Sequence, residues 1–275
     1  VLMPAWHHGV AVVAHRFEKF NPERAFALMA QYGVRNAFLP PTALKMMRAA
    51  PQSVVAQHNC HLRTIASGGE TLGAEMLQWG RDTFGLTINE FYGQTECNMI
   101  ISSSSRLKVT SAGYMGRAVP GHDVRIIDET GTEMASGEVG MIAVHRPDPV
   151  MFLQYWRNDA ATQAKFMGDW MLTGDLGAMG EDGFIRFVGR EDDVISSAGY
   201  RIGPGEIEDC LIAHPAVRMA GVVGKADPVR GQIIKAFVVL GSKAMLWRAI
   251  FRILFAPGSA RMNIRVKLPL SMPCR

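Results

Sequence analysis

Four short segments in this sequence combine glycine with hydroxyl, acidic or guanidinium groups. "SGGET" (67–71) and "YGQTE" (92–96) each close an apolar run with glycine, a hydroxyl and an acid. "TGDLG" (173–177) sets Asp175 in a glycine-flanked turn, and "GREDD" (189–193) sets Arg190 before three consecutive acids. Glycine lets a backbone come close to a ligand. Loops at the carboxyl ends of parallel strands are where open sheets bind theirs. The pattern therefore points to ligand binding against exposed main chain. It points to neither a zinc site nor a disulfide framework: the eight His form no HExxH, the four Cys form no CxxC, and His7-His8 reads as a loop feature.

The elements that would hold these segments follow from periodicity. "ERAFALMAQY" (23–32) has apolar positions at helical spacing, "NAFLPP" is a short strand stopped by Pro40-Pro41, and "PTALKMMRAA" is a helix with Pro41 in its first turn. "LRTIASGGE" is a strand entering a glycine turn; a helix over 72–84 and the strand "INEFYG" follow. Alternation of this kind predicts a doubly wound parallel sheet. After Ser105 the strands come closer together ("HDVRIIDETGTEM", "GEVGMIAVHRP", "GFIRFVG"), which predicts a small antiparallel or barrel-like region. From Asp193 the order strand, helix (204–214), strand (217–223), strand (232–240) reads as a small α+β unit. No internal repeat appears.

Taken in this order and spacing, "YGQTE", "TGDLG" and "GREDDVISSAGYRIGPGEIE" resemble the adenylate-forming (AMP-binding) superfamily, in particular the acyl-CoA synthetases, over residues 1 to about 243. The resemblance implies an α/β fold: the C-terminal part of a large domain (1–188), a hinge (189–193) and a small, incomplete α+β domain (194–243). It also implies a two-step reaction, in which a carboxylic acid attacks the α-phosphate of ATP and coenzyme A then displaces AMP. Gly68, Gly69 and Glu70 would lie along the adenine and Tyr92 would stack beside it, with Gly93 in the same segment. Thr95 would contact phosphate. Glu96 would hold Mg2+, since a hard carboxylate oxygen suits a cation that bridges phosphates. Asp175 would accept from both ribose hydroxyls, with Arg190 as the second ribose contact. Asp192 would be the hinge, Gly199 would line the pantetheine path and Arg201 would reach phosphate. Plainer readings stand beside these: a solvated strand-end acid for Glu96, a turn-capping Asp for Asp175, a surface loop arginine for Arg201. Tyr92 stands where acetate-specific members tend to carry Trp, which leans toward a medium-length, branched or aromatic acid. Met99 and Ile100 fit either that pocket or the core. A carrier protein remains open as the acceptor in place of coenzyme A.

Two family segments have no counterpart in the sequence: the phosphate loop ending in Pro-Lys-Gly, and the catalytic lysine near the C-terminus. Such enzymes run to roughly twice this length, so the chain reads as the interior of a longer protein that makes little thioester alone; a decayed gene product and a non-catalytic nucleotide-binding module are the alternative readings.

The net charge of +4 is set by the tail. Seven of the 29 basic residues and none of the 25 acidic ones follow residue 240, so residues 1–240 carry 22 against 25, a net of −3. No nucleic-acid partner is expected. Neither a membrane span nor a signal peptide is legible, and a reducing cytoplasm is the expected compartment. The genetic code offers a reason for the acid-free tail. Read one nucleotide earlier, Met262-Asn263 forces Glu, Met272-Pro273 forces Ala, and the intervening codons permit "HEYPREVxFVDALP", the family's expected segment. Residues 244–275 are therefore read as aberrant and out of frame from about residue 246. The competing reading makes "AMLWRAIFRILF" a basic helix lying on a membrane surface.

Overall fold

The computed structural model describes residues 2–69, 72–197, 200–212, 214, 217–240 and 262–267. Contacts divide the chain into two compact units. One comprises residues 1–124, 144–164 and 179–186; the other comprises 125–143, 165–178 and 187–275.

The first unit opens with α1 (Leu2–His7) and α2 (Pro22–Gln31), followed by β1 (Asn36–Phe38), α3 (Pro41–Arg48) and α4 (Gln52–Gln57). Then come β2 (Thr64–Gly68), α5 (Ala74–Phe84), β3 (Asn89–Gln94), β4 (Asn98–Ser102) and β5 (Arg117–Ala118), with α6 (Asp159–Ala164) later in the chain. Helix ends follow local chemistry. Asn21 caps α2 by accepting from Arg24 N at 2.9 Å, with Pro22 in the first turn. Helix α5 is bracketed by Gly73 and Gly85, and Gly85 is left-handed with φ 66°. The strands form one sheet in the order β1-β2-β3-β4-β5. Leu44, Ile65, Leu72, Met76, Leu77 and Ile88 bury one cluster; Phe26, Met29 and Met47 bury another.

Parallel pairing holds for β1 with β2 and for β2 with β3, but β4 runs antiparallel to both β3 and β5. The three strands that the periodicity predicted therefore pair in parallel as expected, and β4 and β5, which it did not predict, add an antiparallel edge that makes the sheet mixed. Only Thr95, Glu96 and Cys97 separate β3 from β4, too few for the crossover that a parallel partner needs.

A second sheet, mostly in the second unit, contains β6 (Val124–Ile127), β7 (Val139–His145), β8 (Phe166–Met167), β9 (Trp170–Met179) and β10 (Ile185–Arg190). Its order is β10-β9-β7-β6, with β8 on β9. Ile127, Met141, Ala143, Leu176 and Val188 form its core. A third sheet is built from β11 (Ile195–Ser197), β12 (Tyr200–Ile202), β13 (Val217–Asp227), β14 (Gly231–Leu240) and β15 (Met262–Lys267), with α7 (Pro204–Ile212) between β12 and β13. Glu208 of α7 accepts from Val222 N at 2.8 Å, tying helix to strand. Ile195, Leu211, Val222, Ile234, Ala236 and Val238 close that core. Of the acid-free tail, only β15 is described; it pairs in parallel with β14.

Among the described residues, no helix is long and apolar enough to cross a membrane.

Candidate functional site

In the first unit, strand register brings two of the four segments together. Gly68 pairs with Phe91 across β2 and β3, one residue before Tyr92. The "SGG" and "YGQT" stretches therefore leave the same carboxyl edge of neighbouring parallel strands, the usual ligand side of such a sheet. Phe38 at the end of β1 stacks near Phe91, ring centroids 5.4 Å apart, and stays 40% exposed. Glu90 accepts from Leu72 N at 3.2 Å, which pins the far side of the loop after Gly69. Ser67 is fully buried, and among the described residues its Oγ has no hydrogen-bond partner. A buried polar atom of that kind is what a ligand or an ordered water satisfies. Glu70 lies outside the described residues.

The glycines of these segments serve different purposes. A Cβ on Gly68 would stand 2.7 Å from the Phe91 carbonyl oxygen, and one on Gly93 would stand 1.7 Å from that of Asn98. Both are demanded by strand packing. Gly69 has φ +99° and open space on its Cα, so it alone among the three keeps the freedom to approach a ligand.

The "TE" of the second segment forms the turn between β3 and β4. Thr95 is exposed and Glu96 half-buried. The Tyr155 hydroxyl donates to Glu96 Oε1 at 2.5 Å, and Phe152 N donates to the Glu96 carbonyl at 2.7 Å. The carboxylate pushes the Tyr155 phenol up to about 12, first through this hydrogen bond and then through desolvation and charge. Glu96 is therefore more than a solvated strand-end acid. Sequence reasoning missed Tyr155, because its partner lies 59 residues away and nothing in "FLQYW" marks one aromatic above the others. Of the two candidate pocket residues, Ile100 is fully buried and Met99 is 40% exposed.

In the second unit, Asp175 lies within β9 and not in a turn. Gly174 takes φ +80°, yet the strand continues because Leu176 and Ala178 bury and Thr173 Oγ1 donates to Ile142 O of β7 at 2.8 Å. Asp175 is 9% exposed, and its N donates to Thr173 Oγ1 at 3.2 Å. Arg190 ends β10 directly beside it: a Cβ on Gly174 would stand 3.7 Å from Arg190 Nη2, and Glu191 N donates to Gly174 O at 3.0 Å. The structure thus gathers Asp175 and Arg190.

Arg190 O then accepts from both Asp193 N and Val194 N at 3.1 Å, forming an exposed turn that carries Asp192. Beyond it, Arg201 pairs with Ser196 in the β11–β12 hairpin; its side chain, and Gly199 altogether, lie outside the described residues. A Cβ on Gly203 would stand 2.0 Å from Val188 O, so β12 leaves its hairpin flush against β10.

Comparison with known proteins matches these features to one group. The model of the AMP-binding enzyme family covers residues 1–156, and that of the AMP-binding enzyme C-terminal domain covers residues 206–253. A human mitochondrial acyl-coenzyme A synthetase is 38% identical over 246 residues, which is 88% of this chain and 42% of the relative. The acetyl-coenzyme A synthetase of Bacillus subtilis (strain 168) is 37% identical over 224 residues, 81% of this chain and 39% of that one. Among solved structures, the amide bond synthetase McbA from Marinactinospora thermotolerans superposes with a TM-score of 0.80 at 27% identity, covering 94% of this chain and 54% of its own. The o-succinylbenzoate coenzyme A synthetase of Bacillus subtilis, in complex with ATP and magnesium ion, gives 0.77 at 26% identity, covering 97% and 54%. The chain spans about 40% of the length of the curated relatives it matches.

Proposed function

Because this chain belongs to the AMP-binding enzyme family, we propose that it is part of an AMP-forming acid–coenzyme A ligase, carrying the residues that bind nucleotide. The observation that carries the reading is the Asp175–Arg190 neighbourhood: a buried carboxylate inside a strand, with the Arg190 guanidinium next to the adjoining Gly174. Two hydroxyls of a ribose suit the two oxygens of Asp175, and Arg190, next to Gly174, is assigned as the second ribose contact. In the first unit, Gly69 offers its main chain and Ser67 an unsatisfied hydroxyl at the loop we assign to adenine, with Glu70 and Tyr92 completing it. Thr95 and Arg201 are assigned to phosphate, and Gly199 to the pantetheine arm of coenzyme A.

Mg2+ fits the residues present. Among the described residues no three His, Cys, Asp or Glu cluster as a metal cage. A single carboxylate, Glu96, oriented by the Tyr155 hydroxyl, suits a cation that would take its other ligands from phosphates and water. Bound there, it would neutralise the phosphate charge that opposes attack by the acid's carboxylate. Glu96 orients and anchors; Thr95 donates from the same turn.

The acid we assign is medium-length, branched or aromatic, with Tyr92 at the pocket. Asp192, in its exposed turn, is assigned as the hinge of the small domain. Free thiols at Cys60, Cys97 and Cys210 support a reducing compartment, for which we propose the cytoplasm. No nucleic acid enters this reading.

Little thioester is expected from this chain alone, since its sequence holds no GxxxxGK[ST] or equivalent loop to cradle the β- and γ-phosphates. Acyl-coenzyme A formation from ATP, acid and coenzyme A by the isolated chain would contradict that expectation. For residues 244–275 we keep the shifted-frame reading. Sequencing the gene should show that one nucleotide shifted near codon 245 restores "HEYPREV" and "FVDALP"; clean tail codons would instead favour a genuine basic helix.

A further inference from the structure

We infer that Tyr155 is a positioning residue for Glu96: its phenol holds the carboxylate in the orientation from which that group takes a divalent cation. The inference rests on the Mg2+ reading of Glu96 above.

Residues 148–162 form a clasp around the β3–β4 turn. Phe152 N grips the Glu96 main chain at 2.7 Å while Tyr155 grips its side chain at 2.5 Å, so both ends of one residue are fixed by a single stretch of chain. The clasp is itself braced at each end. Upstream, Asp148 meets His122 Nδ1 at 2.5 Å through one carboxylate oxygen and accepts from Val150 N at 3.0 Å through the other. Downstream, Tyr155 N donates to Thr162 Oγ1 at 3.0 Å, and that hydroxyl donates to Asn158 O at 3.0 Å. The Tyr155 ring rests on Phe152 with centroids 4.8 Å apart. The phenol is thus delivered to Glu96 by a prearranged frame and not by a free surface side chain.

A phenol donating to an ionised carboxylate makes a charge-assisted hydrogen bond. It fixes the plane of the carboxylate, so that a divalent cation bound there would meet a group already oriented and not one free to rotate. Groups that orient a metal-binding side chain in this way typically contribute 10-fold to 100-fold in metal affinity.

The test uses the full chain and a non-reactive methylene analogue of ATP, with Mg2+ titrated calorimetrically into wild type, Tyr155→Phe, Glu96→Gln and the double variant. Phenylalanine keeps the packing on Phe152 and removes only the donor. Tyr155→Phe should weaken Mg2+ binding by roughly 10-fold to 100-fold and leave metal-free analogue affinity unchanged. In the Glu96→Gln background the same change should have no effect on Mg2+. Wild-type Mg2+ affinity in Tyr155→Phe, or an equal loss of metal-free binding, would overturn the inference and leave the nucleotide reading standing. A wild type that binds the analogue with no dependence on Mg2+ or Glu96 would overturn the Mg2+ reading and this inference together.

Discussion

The carbonyl oxygen of Asn98 occupies the place where a side chain on Gly93 would begin: a Cβ there would lie 1.7 Å away. The pairing of β3 with β4 shifts register between Tyr92 and Gly93, and that irregularity draws the two backbones together. Gly93→Ala must therefore displace main chain. We expect it to cost about 1–3 kcal/mol in urea unfolding of the full chain. Gly221→Ala in β13 is the contrast, because nothing lies within 4 Å of its Cβ. There a strand glycine is replaced without a clash, and stability should rise by about 0.5–1 kcal/mol. Equal costs at both positions would contradict the packing argument.

His122 and Asp148 face each other at 2.5 Å with side chains only 10% and 1% exposed. Asp148→Ala strands the imidazole in the interior, and the lost partner should cost about 1–3 kcal/mol. Since Asp148 braces the clasp on Glu96, the same variant should also loosen that segment. Hydrogen exchange at Phe152 N, whose bond to Glu96 O is 2.7 Å, would report it.

Much of this architecture was legible in the sequence. The helix over 22–31, the strand–turn at "TIASGG" and the order of the small C-terminal unit all follow from periodicity, proline and glycine. What escaped was set by distant partners. Asp175 looks like a turn residue by its glycine neighbours, yet burial of Leu176 and the Thr173–Ile142 bond carry the strand through. Antiparallel β4 depends on a three-residue connection whose meaning appears only once β4 is known to be a strand. Gly68 and Gly93, which read as ligand-approach glycines, also answer a packing demand that local sequence does not show, whereas nothing lies within 4 Å of a Cβ on Gly69. Tyr155 carried no local signal at all.

Alkaline titration followed by phenolate absorbance should contain a late step that belongs to Tyr155. Its pKa is raised to about 12 by the hydrogen bond to Glu96. A group whose folded pKa is raised contributes stability in full below its unfolded value, near 10, and loses it as pH climbs through about 12. Tyr155→Phe should therefore remove a step near 12, and Glu96→Gln should move that step back toward about 10. A profile identical in all three proteins would contradict the pairing.

Burial also raises the Cys60 thiol, whose Sγ donates to Phe26 O at 3.6 Å, whereas Cys210 is exposed and Cys97 buried. Thiolate is the reacting form. Iodoacetamide near pH 8, read by peptide mass spectrometry, should label Cys210 first and Cys60 and Cys97 far more slowly. Early labelling of Cys60 would contradict the packing of α2 against its loop.

Binding of a stable acyl-adenylate mimic, an acyl-sulfamoyl adenosine, to the full chain tests the central claim most directly. The account predicts measurable binding by calorimetry that Asp175→Ala weakens at least about tenfold, the scale of losing a charged hydrogen-bond acceptor, while Gly221→Ala leaves it unchanged. No binding, or binding indifferent to Asp175, would contradict the assignment of this chain's residues to the nucleotide.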